Sequence, residues 1–409
     1  MSDAARAVER VARLSYGRLV ARLAARTGSL ADAEDALSDA LTRALETWPS
    51  TGVPDNPDAW LTTTARHRAV DRARTGALPI AYEQDLSRMA EERAATPAPA
   101  TDPRLPLMFV CAHPAIEPAL RAPLMLQAVL GLDARRMASV FLLAPATLGQ
   151  RLTRVKAKIE RAAMRFELPE GPEFDARMGD VLNAIYAAYA VGYNGIPAGD
   201  RKAADLAEEA IWLVSLVAEA LPQAAEAHGL FALMLFAEAR RPARTDAATG
   251  ALIPLSEQDV RLWDAGLLAD AEKALANAAR HLSLGRYQLE ASIQAVHAAR
   301  RRTGETDWAE LKLLYAGLVR IAPTIGARTG EAAVLAETDG PAVALSALDA
   351  IAEADRRSYQ PWWATRAHVL ARLGRVEEAR AAFDRAIGLT DDPAARLYLS
   401  ARKARLLHS

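Results

Sequence analysis

Apolar residues recur three and four positions apart along most of the chain, within stretches rich in alanine, leucine, arginine and glutamate. Strand-type runs of Val, Ile and Thr are scarce, so the pattern is that of an all-α protein. A first helix is expected over roughly 4 to 26, ending at Thr27-Gly28, and a second from Ser29 or Asp32 to Trp48, before Pro49. The turn STGVPDNPDAW follows, in which Asn56-Pro57 supplies an N-cap and a proline at the first position of a third helix. In that helix, WLTTTARHRAVDRAR at 60 to 74, Leu61, Ala65, Ala69 and Ala73 form a thin i, i+4 apolar strip. Arg66, Arg68, Arg72 and Arg74 are spread around the rest. A helix so poor in bulky side chains and so rich in arginine calls for a partner other than a protein core.

Residues 76 to 104 lose the helical period and end in ATPAPATDP, the composition of a flexible linker. Helices resume over 105 to 167: one around 115 to 130, a short one from Asp133 to Phe141, and a basic one from about Pro145 to Arg165. The stretch GLDARRMASVFLLAPATLGQRLTRVKAKIERA has the layout of a helix-turn-helix, with Asp133 as N-cap and Thr147 to Lys158 as a recognition-type helix. Between 145 and 165, six Lys or Arg stand against one Glu, which gives this helix a strongly basic face. LPEGPEF at 168 to 174 is a second break, after which the chain reads as helical hairpins of roughly 30 to 40 residues. The clearest hairpin, 361 to 393, fits the tetratricopeptide pattern with Trp363, Ala367, Leu370, Ala379, Phe383, Ala386 and Pro393. The expected division is therefore 1–75, a linker at 76–104, a helix-turn-helix domain at 105–167 and a helical extension at 168–409.

Composition narrows the function. At 409 residues, 51% hydrophobic and 25% charged, the chain is long enough for two or three soluble domains. A formal net charge of -1 rules out a general polyanion binder, so any basic surface is local. The single cysteine, Cys111, excludes a disulfide framework and cysteine-built zinc sites, fits a reducing cytosol, and reads as a buried small hydrophobe. The segment MSDAARAVERVARLSYGRLV carries acids and no apolar h-region, and no run is long and apolar enough for a membrane span. A cytoplasmic protein without signal peptide or membrane anchor is expected. P-loop, GxGxxG and HExxH motifs are lacking and the seven histidines are scattered, so neither an enzyme nor a cofactor or metal is expected. His113, beside Cys111 in FVCAHPA, reads as structural rather than as half of a Cys-His nucleophile. Two basic helices on either side of a linker suit two separated patches of nucleic acid, since each phosphate neutralised adds affinity by counterion release.

The segments DAEDALSDALTRALETW and NPDAWLTTTARHRAVDRAR, a linker, and then GLDARRMASVFLLAPATLGQRLTRVKAKI together resemble regions 2 and 4 of an extracytoplasmic-function (ECF) RNA polymerase sigma factor. RRPARTDA, LSEQDVRLWD, GRYQLEASIQAVHA, ETDW and the closing repeat resemble the extension of the ECF subgroup with a large tetratricopeptide-like C-terminal part. The resemblance implies a partner in core RNA polymerase, through its β′ clamp helices and β flap, with Asp32, Glu34, Asp35 and Asp39 docking on the clamp. It implies recognition and opening of the promoter -10 element by Arg66, His67, Arg68, Arg72 and Arg74, with Asp71 orienting an arginine. Trp60 and Trp48 could stack on unpaired bases, although their apolar neighbours at helix boundaries read first as core anchors. It implies reading of duplex -35 DNA by Thr147, Gln150, Arg151, Arg154 and Lys156. His67, Pro145 and Gly149 depart from the residues common in the family, which points to an unusual promoter choice, and Ala190-Val191 in the extension depart from the Asn and Glu of relatives, so no role carries over to that loop. For the extension the expectation is a protein or peptide partner, and either inhibition or support of the DNA-binding domains. Two rivals remain: a helix-turn-helix regulator with a helical sensor domain that ignores polymerase, and an interaction scaffold whose basic helices are solvated surface.

Overall fold

The computed structural model describes residues 3–75, 102–138, 141, 143–194 and 201–406. The expected linker therefore lies outside the described residues, apart from its last three positions. Among the described residues there is no β-strand, only an isolated bridge between Thr245 and Leu252. The protein is all-α and divides into two compact units, Met1–Val191 and Gly192–Ser409.

Three helices open the first unit: α1 (Asp3–Thr27), α2 (Leu30–Thr51) and α3 (Pro57–Thr75). Gly28 breaks α1 at φ 72°, and the Ser29 hydroxyl accepts from the Asp32 amide to start α2. Leu30, Ala33, Leu37, Ala40, Ala44 and Trp48 form the buried stripe of α2. This helix runs past Pro49, where the sequence alone suggests a stop, and ends at Gly52, whose amide bonds to the Trp48 carbonyl. Proline there forfeits only the bond to the Leu45 carbonyl, and Leu45 stands in solvent where water can satisfy it. Asn56 caps α3 through the Ala59 amide at 3.0 Å, and Pro57 follows at the first helical position. Asp58 ties α3 to α1 by accepting from Ser15 at 2.8 Å and Arg18 at 2.9 Å.

The rest of this unit is built from α4 (Arg104–Cys111), α5 (Pro118–Leu130), α6 (Ala134–Ala138), α7 (Pro145–Arg161) and α8 (Pro172–Asn194). Gly131, at φ 69°, ends α5 with its amide bonded to Gln127. The basic helix α7 buries Leu148, Leu152, Val155 and Ile159 and stops at Arg161, short of the expected Arg165, with Ala163 at φ 46°. Inside the stretch expected as a break, α8 begins, and its first turns pack on α4 and α5. The buried Arg177 donates to the Phe109 carbonyl at 2.7 Å, Phe174 stacks on Phe109 at 5.4 Å, and Asp180 pairs with Arg121 at 2.5 Å.

In the second unit come α9 (Arg201–Ala220), α10 (Ala225–Ala239), α11 (Ala265–Ala279), α12 (Arg286–Thr303), α13 (Trp308–Ile321), α14 (Ile325–Thr338), α15 (Pro341–Asp349), α16 (Glu353–Arg356), α17 (Gln360–Arg372), α18 (Val376–Gly388) and α19 (Pro393–Arg405). Most successive helices pack against one another. The Glu226 carboxylate of α10 caps α12 from outside, accepting from the Tyr287 and Gln288 amides at 2.8 and 3.1 Å. The segment between α10 and α11 is pinned by Arg300, which donates to the Leu255 and Gln258 carbonyls and lies 5.2 Å from the ring of buried Trp263. In the hairpin α17–α18, Ala367, Leu370, Ala379, Phe383 and Ala386 are buried as the repeat pattern requires. The core tryptophan, however, is Trp362, whose indole donates to the Leu348 carbonyl, while Trp363 is half-buried against its edge.

Candidate polymerase and nucleic-acid interface

Helix geometry divides the four acids of α2. At about 100° per residue, Asp32, Asp35 and Asp39 fall on one side and Glu34 points well away from them. Asp32 and Asp35 are exposed and Asp39 is half-buried. The Glu34 side chain is only 14% exposed and makes an ion pair with Lys156 of α7, itself 11% exposed. Burial pushes the Glu34 carboxyl above its ordinary value against the opposing pull of Lys156. One acid of the expected polymerase face and one cation of the expected -35 face are thus joined to each other.

On α3, Leu61 and Ala65 are buried and Arg66 is exposed, as the thin apolar strip implies. Trp60 is half-buried and meets Trp48 edge to face, with ring centroids 5.4 Å apart, so the two tryptophans pack together as anchors of α2 and α3. His67, Arg68, Arg72 and Arg74 lie along α3, but their side chains fall outside the described residues. A basic neighbour that the sequence did not single out is Arg26, at the end of α1. Burial first, and the charge of Arg66 second, hold it below the ordinary arginine value. The only sequence signal for Arg26 is its place one residue before the Thr27-Gly28 break.

On α7, Thr147, Gln150, Arg151 and Arg154 are exposed and fall within about a quarter-turn of one another, opposite the buried Leu148, Leu152, Val155, Ile159 stripe or flanking it. Lys156 lies on the far side of the helix from Thr147 and Gln150. The structure therefore gathers four of the five expected -35 residues on one open face and turns the fifth inward. Lys158 is spent on the Ala115 carbonyl at 2.6 Å. An open helix face with two guanidinium groups, an amide and a hydroxyl can contact base edges and phosphates of a major groove.

Cys111 is fully buried, and burial pushes its thiol up, away from the thiolate. The His113 Nδ1 accepts from the Ala115 amide at 3.1 Å, so the pair makes a turn rather than a nucleophile and base. No group of three His, Cys, Asp or Glu side chains among the described residues could hold a metal ion. No described helix is long and apolar enough to cross a membrane.

Two family profiles match. Residues 13–77, covering most of α1 through α3, match Sigma-70 region 2, and residues 177–279 match a family of unknown function, DUF6596. The chain is 36% identical over 374 residues to the uncharacterized protein R00370 of Rhizobium meliloti (strain 1021), a match covering 90% of this chain and 88% of that protein. No solved structure matches. The Sigma-70 region 2 match supports a sigma factor, with core RNA polymerase and promoter DNA as its partners and a role in transcription. The chain belongs to the same family as R00370, with a sigma-70 region 2 domain at its N-terminus followed by a DUF6596 domain.

Proposed function

We propose that the protein is an alternative, ECF-type sigma factor that binds core RNA polymerase, directs it to promoters with paired -35 and -10 elements, and helps melt the latter. The observation that carries this reading is a region 2 match followed by the basic helix α7, whose exposed face presents Thr147, Gln150, Arg151 and Arg154. In this reading Asp32, Asp35 and Asp39 dock on the β′ clamp helices, region 4 meets the β flap, and the arginines of α3 hold the -10 strand. The factor works by differential binding: polymerase holds both DNA-binding modules at promoter spacing, which raises their effective concentration on DNA. The DUF6596 segment and the helical hairpins after it form a tetratricopeptide-like regulatory extension that takes a protein or peptide partner. The factor acts in the cytoplasm, where the polymerase is.

Transcription in vitro with core polymerase of the source bacterium, on a pool of its genomic promoter fragments, tests the reading. New start sites that share -35 and -10 motifs are expected when the protein is added. Absence of both start sites and core binding would favour the helix-turn-helix regulator instead. Full promoter activity in a chain lacking the hairpins would remove the regulatory role of the extension.

A further inference from the structure

In the second unit an open groove of about 570 Å³ lies between the turn that holds α16 and the hairpin α17–α18. Sites for small ligands, or for a few side chains of a peptide, have volumes of roughly 300 to 1,000 Å³. The floor is apolar: Trp362, Leu370 and Ala382 are buried, Trp363 is half-buried and Ala381 is exposed. Four arginines stand in the walls, Arg356, Arg357, Arg366 and Arg385, and they fall into two pairs with different duties. Arg356 and Arg366 lie 5.0 and 5.3 Å from the Trp362 ring and both reach the Asp349 carboxylate, so their charge is already used inside the fold. Arg357 and Arg385 are exposed, and neither makes an ion pair among the described residues. Glu378, in the same lining, is held at 2.6 Å by Arg375 through both oxygens.

Donors from two helices converge on one point of this groove. The Trp363 indole N–H and the Arg385 guanidinium both donate to the Arg357 carbonyl oxygen, at 3.4 and 3.3 Å. These bonds are at the long, weak end of the range. A carboxylate entering here would take the same two donors in shorter, charge-assisted bonds, with the Arg357 guanidinium in the same groove. The lining also decides against a polyanion. Asp349, Glu353 and Glu378 face the same space, and a nucleotide or other polyphosphate would be repelled by all three. A single carboxylate joined to an apolar group fits both the uncommitted arginines and the floor beside them. Tryptophan and arginine are, besides, the side chains that carry most of the binding energy at protein interfaces.

We propose that this groove holds an extended peptide segment of a partner protein, with an Asp or Glu side chain bound by Arg357, Arg385 and Trp363 and a neighbouring apolar side chain laid on Ala381 and Ala382. Such binding rests on the reading of the extension as the part that takes a protein or peptide partner.

The test pans a random dodecapeptide phage library on the immobilised full chain and, in parallel, on the full chain carrying Arg357→Glu and Arg385→Glu. Both positions are exposed, so the doubly altered chain is expected to keep its helical circular dichroism and its melting temperature. Peptides with an acid beside an aliphatic or aromatic residue are expected on the unaltered chain and not on the altered one. Acidic peptides drawn to the basic face of α7 would bind both chains alike, so the difference between the two reads the groove. An enriched peptide, synthesised with a fluorescein label, is expected to lose about tenfold or more in affinity when its acid becomes the amide, and likewise towards Arg385→Ala. The same peptide with Lys in place of its acid is expected to prefer the doubly altered chain, a reversal that a merely structural role for the arginines would not produce. Enriched peptides that lack an acid, or that bind both chains equally, overturn the groove and leave the extension to take its partner elsewhere. Enrichment of no peptide at all overturns the groove and the peptide-binding reading of the extension together.

Discussion

His297 is wedged at the edge of Trp308, with ring centroids 6.4 Å apart, and lies near the positive charges of Arg240 and Arg300. Burial first, and the two arginines second, lower its pKa from 6.5 to about 4. The folded chain therefore keeps this imidazole neutral where the unfolded chain protonates it. Between pH 6.5 and about 4 the unfolded state binds more protons, so the stabilisation is complete above 6.5 and is lost as pH falls towards 4. The loss amounts to at most about 3 kcal/mol, and His368, lowered by burial and by Arg402 and Arg372, adds in the same sense. Urea unfolding at pH 7.5 and pH 5 should show a drop in the second unit that His297→Gln flattens. Neither neighbour of His297 could be foreseen. Arg240 lies far away in sequence, and Arg300, although on the same helix, matters only because that helix is packed against Trp263.

At the scale of elements, α7 carries two faces with different tasks, and salt separates them. Arg151→Ala and Arg154→Ala are each expected to weaken duplex binding and to lower the slope of log affinity against log salt by about one. Lys156→Met is expected to leave that slope unchanged, because Lys156 faces Glu34 rather than solvent. Affinity titrations from low to physiological salt check both. Most helices were legible from period and punctuation: Ser29 and Asn56 cap where expected, and the strip of Leu61 and Ala65 faces inward. What escaped the sequence is tertiary. Glu226 caps a helix 61 positions away, and nothing around it in the chain signals that helix. In the closing hairpin, Trp362 takes the core place because its indole finds the Leu348 carbonyl, a choice that repeat spacing alone assigns to its neighbour Trp363. The partition of α7 was half visible, since the apolar stripe locates the buried side but not the acid that Lys156 would meet across it.

For the whole molecule, the division into units differs from the break that proline and glycine suggest at 168 to 174. Helix α8 begins there, yet its first turns close over α4 and α5 through Phe174, Arg177 and Asp180. The DUF6596 match starts at residue 177, on this same helix, so the extension begins as a part of the first unit. A chain ending at residue 167 should leave Phe109, fully buried in the intact protein, without its stacking partner and its carbonyl without a donor. Such a chain is expected to unfold at clearly lower temperature than one ending at residue 191, and to aggregate sooner, as calorimetry and light scattering would register.

The sealed position of Cys111 bears on what kind of signal can reach this protein. A thiol with no exposed surface, and held in its protonated form by burial, is oxidised or alkylated only when the fold opens. With no second cysteine to pair with, the chain has no disulfide with which to record an oxidant. Redox stress would therefore have to be relayed to it by another molecule, and its output should stay constant across oxidising and reducing conditions when it is studied alone.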